Sequence, residues 1–319
     1  MRPNRHATIA RCLAILGLAA SLESASAGSS ATAVDVGDRV FPESVTSTRD
    51  GRLFVGSLGG RGILRALPGD SSVSPWVAPG TDGLLDVFGV LADEKRSTLW
   101  ACSADAAVGR APAKASALHA FDLRTGRVTG RYELPSPGAL CNDIAVAADG
   151  TVYVTDSINM EVARLTRDHQ KLETWVGKGA IGKAGEVLDG IATLGTRVIV
   201  NAFMSGTLYA IDEEAGVPRV SDLRLPRPLA RPDGMRAIGR DSLLVVETGD
   251  SGRLVQVRLK GNEGEISPVR DGFAGGAVAV TREGHVAFVL EGSLPMRFTP
   301  GEVPAPSRIV PVSLPAMRH

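Results

Sequence analysis

One motif recurs six times along this chain of 319 residues. Each copy is a pair of short apolar segments joined by a turn, as in LCNDIAVAADGTVYVTDS (residues 140–157), where Asp149-Gly150 supplies a dipeptide suited to a tight turn. The residues that open the six copies are spaced by 46, 53, 47, 44 and 43 positions, and they are Glu43, Gly89, Asn142, Asp189, Asp233 and Gly276. This interval is typical of a four-stranded blade, so we predict an all-β fold, a six-bladed β-propeller.

The composition agrees with short strands and many turns. Aromatic residues make up only 4% of the chain, 37 residues are Gly and 19 are Pro, and no long segment shows helical periodicity. A propeller ring needs an edge strand to close it. Two segments are candidates for that strand, residues 33–39 and residues 308–314.

The six leading residues are expected to meet at one mouth of the central channel. In four copies the turn lies seven residues after the leading residue, which places the two roughly 20 Å apart at opposite ends of the innermost strand. Three acids and an amide then converge, and their mutual repulsion favours a cation between them. The donors are all oxygen, so we expect one divalent ion, Ca²⁺ before Mg²⁺, Mn²⁺ or Zn²⁺.

The first 27 residues are predicted to be a secretory signal rather than part of the propeller. Arg2, Arg5 and Arg11 precede the apolar run of residues 12–20, and the small residues of 25–27 suit a cleavage site. The run is too short to span a bilayer stably. We therefore predict a single propeller domain over residues 28–319 that is exported to the periplasm or secreted, with no transmembrane segment.

Charge limits the classes of partner, and cysteine content raises the question of a disulfide. Lys and Arg number 35, as do Asp and Glu, and no basic stripe is evident, so nucleic acid is an unlikely class of partner. No obligate protein partner is evident either. Cys102 and Cys141 remain after cleavage of the signal, and two interpretations are open: a disulfide, or two buried reduced thiols. His119, His169 and His285 are not expected at the channel mouth.

Short motifs at the start of four repeats resemble the senescence-marker-protein/gluconolactonase/regucalcin family of six-bladed propellers, with paraoxonases and strictosidine synthase as distant relatives. They are Pro42-Glu43-Ser44, Asn142-Asp143, Asp189-Gly190 and Pro232-Asp233-Gly234. The resemblance covers roughly residues 41–299.

The resemblance implies roles for individual residues. Glu43, Asn142, Asp189 and Asp233 would hold the metal, Asn142 would also contact substrate, and Asp233 would be the general base. Asp189 stands where the family usually has Asn.

Three further positions point to a substrate unlike a sugar. Leu140 replaces an Arg of the sugar-lactone enzymes, and Phe88 and Phe203 predict a less polar substrate pocket.

Two functions follow as expectations. The first is a divalent-metal-dependent hydrolase of a lactone or related ester, gluconolactonase-like, acting on a small molecule. The alternative is a non-catalytic periplasmic binding or scaffold propeller in which the cation is structural.

Overall fold

The computed structural model describes residues 32–60, 62–106, 115–166, 168, 170–183, 185–248, 252–273, 276–292 and 306–315. These residues form six four-stranded antiparallel sheets, each ordered from an innermost to an outermost strand. The all-β, six-bladed propeller predicted from the repeat is therefore confirmed. The predicted signal segment, residues 1–27, lies outside the described residues.

The first three blades follow one another along the chain. Blade one comprises β2 (Pro42–Ser47), β3 (Leu53–Ser57), β4 (Ile63–Ala66) and β5 (Ser74–Val77). Blade two comprises β6 (Asp86–Asp93), β7 (Thr98–Ala104), β8 (Ala117–Asp122) and β9 (Val128–Glu133). Blade three comprises β10 (Cys141–Val146), β11 (Val152–Asp156), β12 (Glu161–Leu165) and β13 (Leu172–Val176).

The last three blades complete the ring. Blade four comprises β14 (Leu188–Leu194), β15 (Arg197–Ala202), β16 (Leu208–Glu214) and β17 (Val217–Asp222). Blade five comprises β18 (Pro232–Ile238), β19 (Ser242–Glu247), β20 (Arg253–Lys260) and β21 (Glu263–Asp271). Blade six comprises β22 (Ala277–Glu283), β23 (Val286–Glu291), β24 (Ser307–Ser313) and β1 (Val34–Gly37).

Both candidate closing segments take part in blade six. The C-terminal segment supplies the third strand, β24, which pairs with β23. The N-terminal segment supplies the outermost strand, β1, which pairs antiparallel with β24 so that Asp35 lies opposite Arg308. Closure therefore joins the two ends of the propeller within one sheet.

Burial follows the position of each strand within its blade. The second strands β3 and β11 are buried along their whole length, because both faces pack against neighbouring blades. The outermost strands β17 and β21 are largely exposed and carry most of their charged residues on that surface. The core therefore lies between blades, and it holds the innermost strands firmly around the channel.

A disulfide joins two neighbouring blades. Cys102 in β7 and Cys141 in β10 are bonded, with their Cα atoms 5.1 Å apart. This resolves the question that the sequence left open in favour of the disulfide.

Helical structure is minimal. Two 3-10 turns, Thr81–Gly83 and Glu94–Arg96, are the only helical segments of the described residues. Within that part of the chain no helix has the length and apolar character to cross a bilayer.

Candidate functional site

The innermost strands are interrupted by a bulge near the same mouth of the channel. The residues that begin these bulges, in blade order, are Glu43, Phe88, Asn142, Asp189, Asp233 and Val278. Four of these six match the leading residues read from the sequence. In blades two and six the register differs, since Phe88 and Val278 take the places predicted for Gly89 and Gly276.

Glycines follow several leading residues because the innermost strands approach one another closely there. A Cβ atom on Gly89 would lie 2.4 Å from the backbone oxygen of Asn142, and one on Gly190 would lie 2.5 Å from that of Asp233. Real Cβ contacts are longer than this. Gly89 is therefore a close-approach position, and Phe88 is the residue that carries a side chain to the mouth.

Three carboxylates meet at the mouth, as the sequence predicted. One oxygen from each of Glu43, Asp189 and Asp233 lies within 4.8 Å of the other two. All three residues are buried, with 6–9% of their surface exposed. Together with Asn142 they line a cavity of about 10 Å³, which is room for one water-sized sphere.

The electrostatics of this cluster suit a cation. Burial, and then repulsion from neighbouring acids, raises the pKa of Glu43 and that of Asp233 well above the usual range, and raises the pKa of Asp189 to about 8. Oε2 of Glu43 is buried and has no hydrogen-bond partner among the described residues. Closely spaced hard oxygen donors with an orphaned carboxylate oxygen fit a divalent ion such as Ca²⁺.

Asn142 is oriented by a hydroxyl at the far end of its own hairpin. Its Nδ2 donates to Oγ of Ser157 at 2.8 Å, and that hydroxyl donates to the backbone oxygen of Leu188 at 2.6 Å. Because the amide nitrogen is engaged, Oδ1 is the atom that Asn142 offers to the cavity. Ser157 therefore fixes which end of the amide faces a ligand.

Asp156, beside Ser157, has a different role. One of its carboxylate oxygens accepts from the backbone amides of Leu140, Ile158 and Asn159 at 3.0–3.2 Å. The other accepts from Nδ2 of Asn159 at 2.8 Å. Asp156 therefore stabilises its own turn, whereas Ser157 orients Asn142 at the site.

Two buried polar side chains hold the backbone of the acids, and sequence reasoning did not single them out. Thr155 donates through Oγ1 to the backbone oxygen of Asp189 at 2.7 Å. Asn201 donates through Nδ2 to that of Asp233 at 2.7 Å, and its Oδ1 accepts from the amide of Gly190 at 3.1 Å. An Asn within the apolar segment VIVNAF was the available signal, because a buried amide needs partners.

An ion pair lies deeper in the channel and was also missed. Nη1 of Arg236 is 3.1 Å from Oδ2 of Asp143, and both side chains are largely buried. The same carboxylate oxygen accepts from the amide of Ile191 at 3.2 Å. Asp143 is therefore a partner of an arginine from another blade.

The remaining residues named from the sequence differ in whether they line the acidic cavity. Phe88 lines the acidic cavity and is buried, whereas Phe203 follows β15, is half-buried and is not among the residues that line that cavity. His119 is buried in β8, His285 is exposed in the turn before β23, and neither lines the cavity. His169 lies outside the described residues. A role for Phe203 in binding substrate stays a prediction.

Comparisons with known proteins agree with this architecture. The strictosidine synthase-like, N-terminal family matches residues 29–65. No curated protein sequence matches the chain significantly.

Solved propellers resemble it over most of their length. The major allergen Mala s 1 of Malassezia sympodialis is 14% identical with a TM-score of 0.67, covering 91% of this chain and 99% of the allergen. The chain has the fold of the gluconolactonase-like propellers. A gluconolactonase from Xanthomonas campestris is 17% identical with a TM-score of 0.61, covering 88% of each chain.

Virginiamycin B lyase from Staphylococcus aureus, inactivated by replacing a histidine, is 12% identical with a TM-score of 0.57, covering 89% of this chain and 99% of the lyase. At such identities the likeness establishes the fold. The chemistry must be argued from the residues at the mouth.

Proposed function

We propose that this protein is a divalent-cation-dependent hydrolase of a lactone or related ester. The observation that carries the proposal is the cluster of Glu43, Asp189 and Asp233, whose buried carboxylate oxygens lie within 4.8 Å of one another. Burying three acids close together is costly, so folds retain such clusters where a ligand uses them.

Four side chains would hold the cation: Glu43, Asn142 through Oδ1, Asp189 and Asp233. When bound there, a divalent ion supplies Lewis-acid polarisation of a carbonyl and stabilises the negative charge that develops on its oxygen. The donor set contains only oxygen, which supports Ca²⁺ as the ion.

Asp233 is the residue we assign to proton transfer. Pro232 restricts the backbone before it, and Asn201 holds its backbone oxygen from the neighbouring blade. A carboxylate fixed in this way, with a raised pKa, is suited to accept a proton from an attacking water through a carboxylate oxygen.

The walls of the cavity favour a substrate less polar than a sugar lactone. Phe88 is buried and contributes an apolar face beside the carboxylates. Leu140, which is half-buried, occupies the position at which the resembling sugar-lactone enzymes have an Arg. Phe203 would extend the apolar surface outward from the mouth.

Lyase chemistry of the kind found in one structural neighbour has less support. The Staphylococcus aureus lyase is inactive when a histidine is replaced. Among the residues described in this protein, none of those lining the acidic cavity is a histidine. The X. campestris gluconolactonase, in contrast, is similar in fold, and its named activity supports lactone hydrolysis as the reaction at the acidic mouth.

A direct test measures hydrolysis of a panel of aliphatic lactones, sugar lactones and aryl esters with Ca²⁺, with Mn²⁺ and with chelator. We expect turnover that requires the cation and prefers aliphatic or aryl substrates. Cation binding without turnover on any member of the panel would favour the non-catalytic binding or scaffold propeller instead.

We also propose that the protein is exported and then processed near Gly28. The disulfide between Cys102 and Cys141 supports an oxidising compartment. Mass spectrometry of the native protein should find a mature N-terminus near Gly28 in the periplasmic or secreted fraction. Soluble cytoplasmic protein that retains Met1 would contradict this assignment.

A further inference from the structure

Arg236 crosses the channel beneath the acidic mouth. It lies on β18 of blade five, three residues after Asp233, and its guanidinium reaches two other blades. Nη1 donates to Asp143 of blade three at 3.1 Å, and Nη2 donates to the backbone oxygen of Val90 of blade two at 3.3 Å. One side chain therefore ties three innermost strands together across the channel.

The same residue borders both ends of the channel. On one side Arg236 lines the acidic cavity of about 10 Å³. On the other it lines a cavity of about 480 Å³ at the opposite mouth, among the residues of the hairpin turns. With only 13% of its side chain exposed, it separates the two cavities.

The positive charge of Arg236 also affects how many cations the acidic cavity needs. Of the residues that the structure describes, four carboxylates and one cationic side chain line the acidic cavity, those of Glu43, Asp143, Asp189 and Asp233 and that of Arg236. With all four ionised, the guanidinium leaves three negative charges uncompensated, and one divalent ion reduces them to a single charge. Without Arg236, two divalent ions would be needed for full compensation.

The atoms that Arg236 contacts are themselves cation ligands by type. A carboxylate and a backbone carbonyl are the donors that hard divalent ions take in proteins. The guanidinium occupies both, with planar geometry suited to two acceptors at once. Asp143 is thereby excluded from the oxygen donors that converge on the mouth.

We propose that Arg236 is the internal counter-cation of the acidic mouth: its guanidinium engages Asp143 and Val90, separates the two ends of the channel, and limits the site to one divalent ion. The inference rests on the cation site of the proposed function. Arg236 is a positioning residue here, since it acts through Asp143 and not on substrate.

The test counts ions. Equilibrium dialysis against Mn²⁺ with elemental analysis should give one ion per chain for the unaltered protein and two for Arg236→Met. The double variant Arg236→Met with Asp143→Asn should return to one, because the freed carboxylate is gone. Arg282→Met, which alters an arginine lining only the opposite cavity, is the matched control and should hold one.

Electron paramagnetic resonance of the Mn²⁺-loaded Arg236→Met protein provides an independent readout, because two nearby Mn²⁺ ions couple and broaden the spectrum. If Arg236→Met does not fold, Arg236→Gln keeps hydrogen-bond donors while removing the charge, and the same second ion is expected. One ion in the unaltered protein and one, with unchanged affinity, in the folded variant would overturn the proposal for Arg236 alone. No ion in the unaltered protein would overturn the cation site itself.

Discussion

The pKa values of carboxylates at the two ends of a single innermost strand are shifted in opposite directions. In blade one, Glu43 is the second residue of β2, at the acidic mouth, and Asp50 lies in the turn at the other end of that strand. In blade five, Asp233 is the second residue of β18, and Asp241 lies in the turn that follows the strand. Burial raises the pKa of Glu43 and of Asp233. Hydrogen bonds from Arg52 to Asp50, and from Ser242 and Arg258 to Asp241, lower the pKa of those acids.

Solvent explains the difference. The side chains of Asp50 and Asp241 are 60% and 45% exposed, so water and an adjacent arginine stabilise their charge at little cost. Glu43 and Asp233 have lost that solvation, and neither has an arginine partner among the ion pairs of the described residues. The same residue type is therefore ordinary at one end of the strand and a candidate ligand at the other.

The strongest test of this contrast is the pair Asp233→Asn and Asp241→Asn. Asparagine keeps an oxygen ligand but cannot accept the proton, so Asp233→Asn should reduce kcat about 100-fold or more while cation affinity falls less. Asp241→Asn makes the same chemical change at the exposed end and should leave kcat within about twofold, because it is distant from the substrate.

Steady-state kinetics on the best lactone, with calorimetry of cation binding, separates the two effects. Equal losses in Asp233→Asn and Asp189→Asn, with turnover and metal content declining together, would show that the mouth contributes only bulk negative charge and that the role of Asp233 is wrongly assigned.

The pH dependence of stability comes next. Burial raises the pKa of Asp189 to about 8 in the folded protein, against an ordinary value of 3.8 for an aspartate. Between these values the unfolded chain has lost the proton that the folded protein retains, so the cation-free protein should lose stability as the pH rises. We expect its Tm in chelator to fall by about 5 °C or more between pH 5 and pH 8.

Saturating Ca²⁺ should remove most of that slope, because the ion stabilises the ionised carboxylates. Differential scanning calorimetry at several pH values, with and without chelator, measures both. A Tm that rises with pH in chelator would contradict the assigned burial of the acids.

Asp189→Asn is expected to have a smaller effect on function. It removes one buried carboxyl and introduces the residue usual in the resembling family, so the protein should fold, remain active and bind the cation about tenfold more weakly. Its Tm in chelator should be less dependent on pH than that of the unaltered protein. Loss of all activity in a folded Asp189→Asn protein would contradict this expectation.

The smallest expected effect concerns the orientation of Asn142. Ser157→Ala removes the acceptor for Nδ2, which leaves the amide free to turn and costs about 1 kcal/mol, or about fivefold in kcat/KM. Ser205→Ala, an exposed hydroxyl after the corresponding strand of blade four, is the control and should have no effect. An unchanged kcat/KM in Ser157→Ala would show that Asn142 is held by other contacts.

Much of the fold could be predicted from the repeat because each blade is a local structure. The strands of a hairpin are close in sequence, and their apolar pattern and turn residues are visible in the chain. Four polar residues lie at or near the starts of innermost strands, and this position fixes the end of the channel at which they lie: Glu43, Asn142, Asp189 and Asp233. The sequence could not show that Phe88 and Val278, rather than Gly89 and Gly276, begin the bulges of blades two and six, because a bulge shifts the register without changing the apolar pattern.

Other features depended on contacts between distant segments. Arg236 lies in a strand whose alternation is ordinary, and nothing near it in the sequence indicates that its guanidinium reaches Asp143, 93 positions away. The disulfide required the Cα separation of two residues in different blades. Asp156 and Ser157 are adjacent, yet their partners differ because successive side chains of an extended chain point to opposite faces.

What the sequence determined by itself is the blade and the polarity of its strands: six hairpins with acids and an amide at one end and turns at the other. What only the tertiary structure decided is how the blades meet. The closing sheet combines both chain ends, the carboxylates converge within 4.8 Å, and Arg236 crosses the channel beneath them. The physical reason is the separation along the chain of the residues that interact. Hydrogen bonding and apolar alternation within a hairpin are encoded by neighbours in the sequence. Burial and charge at the channel mouth arise only when strands from separate blades surround the same space.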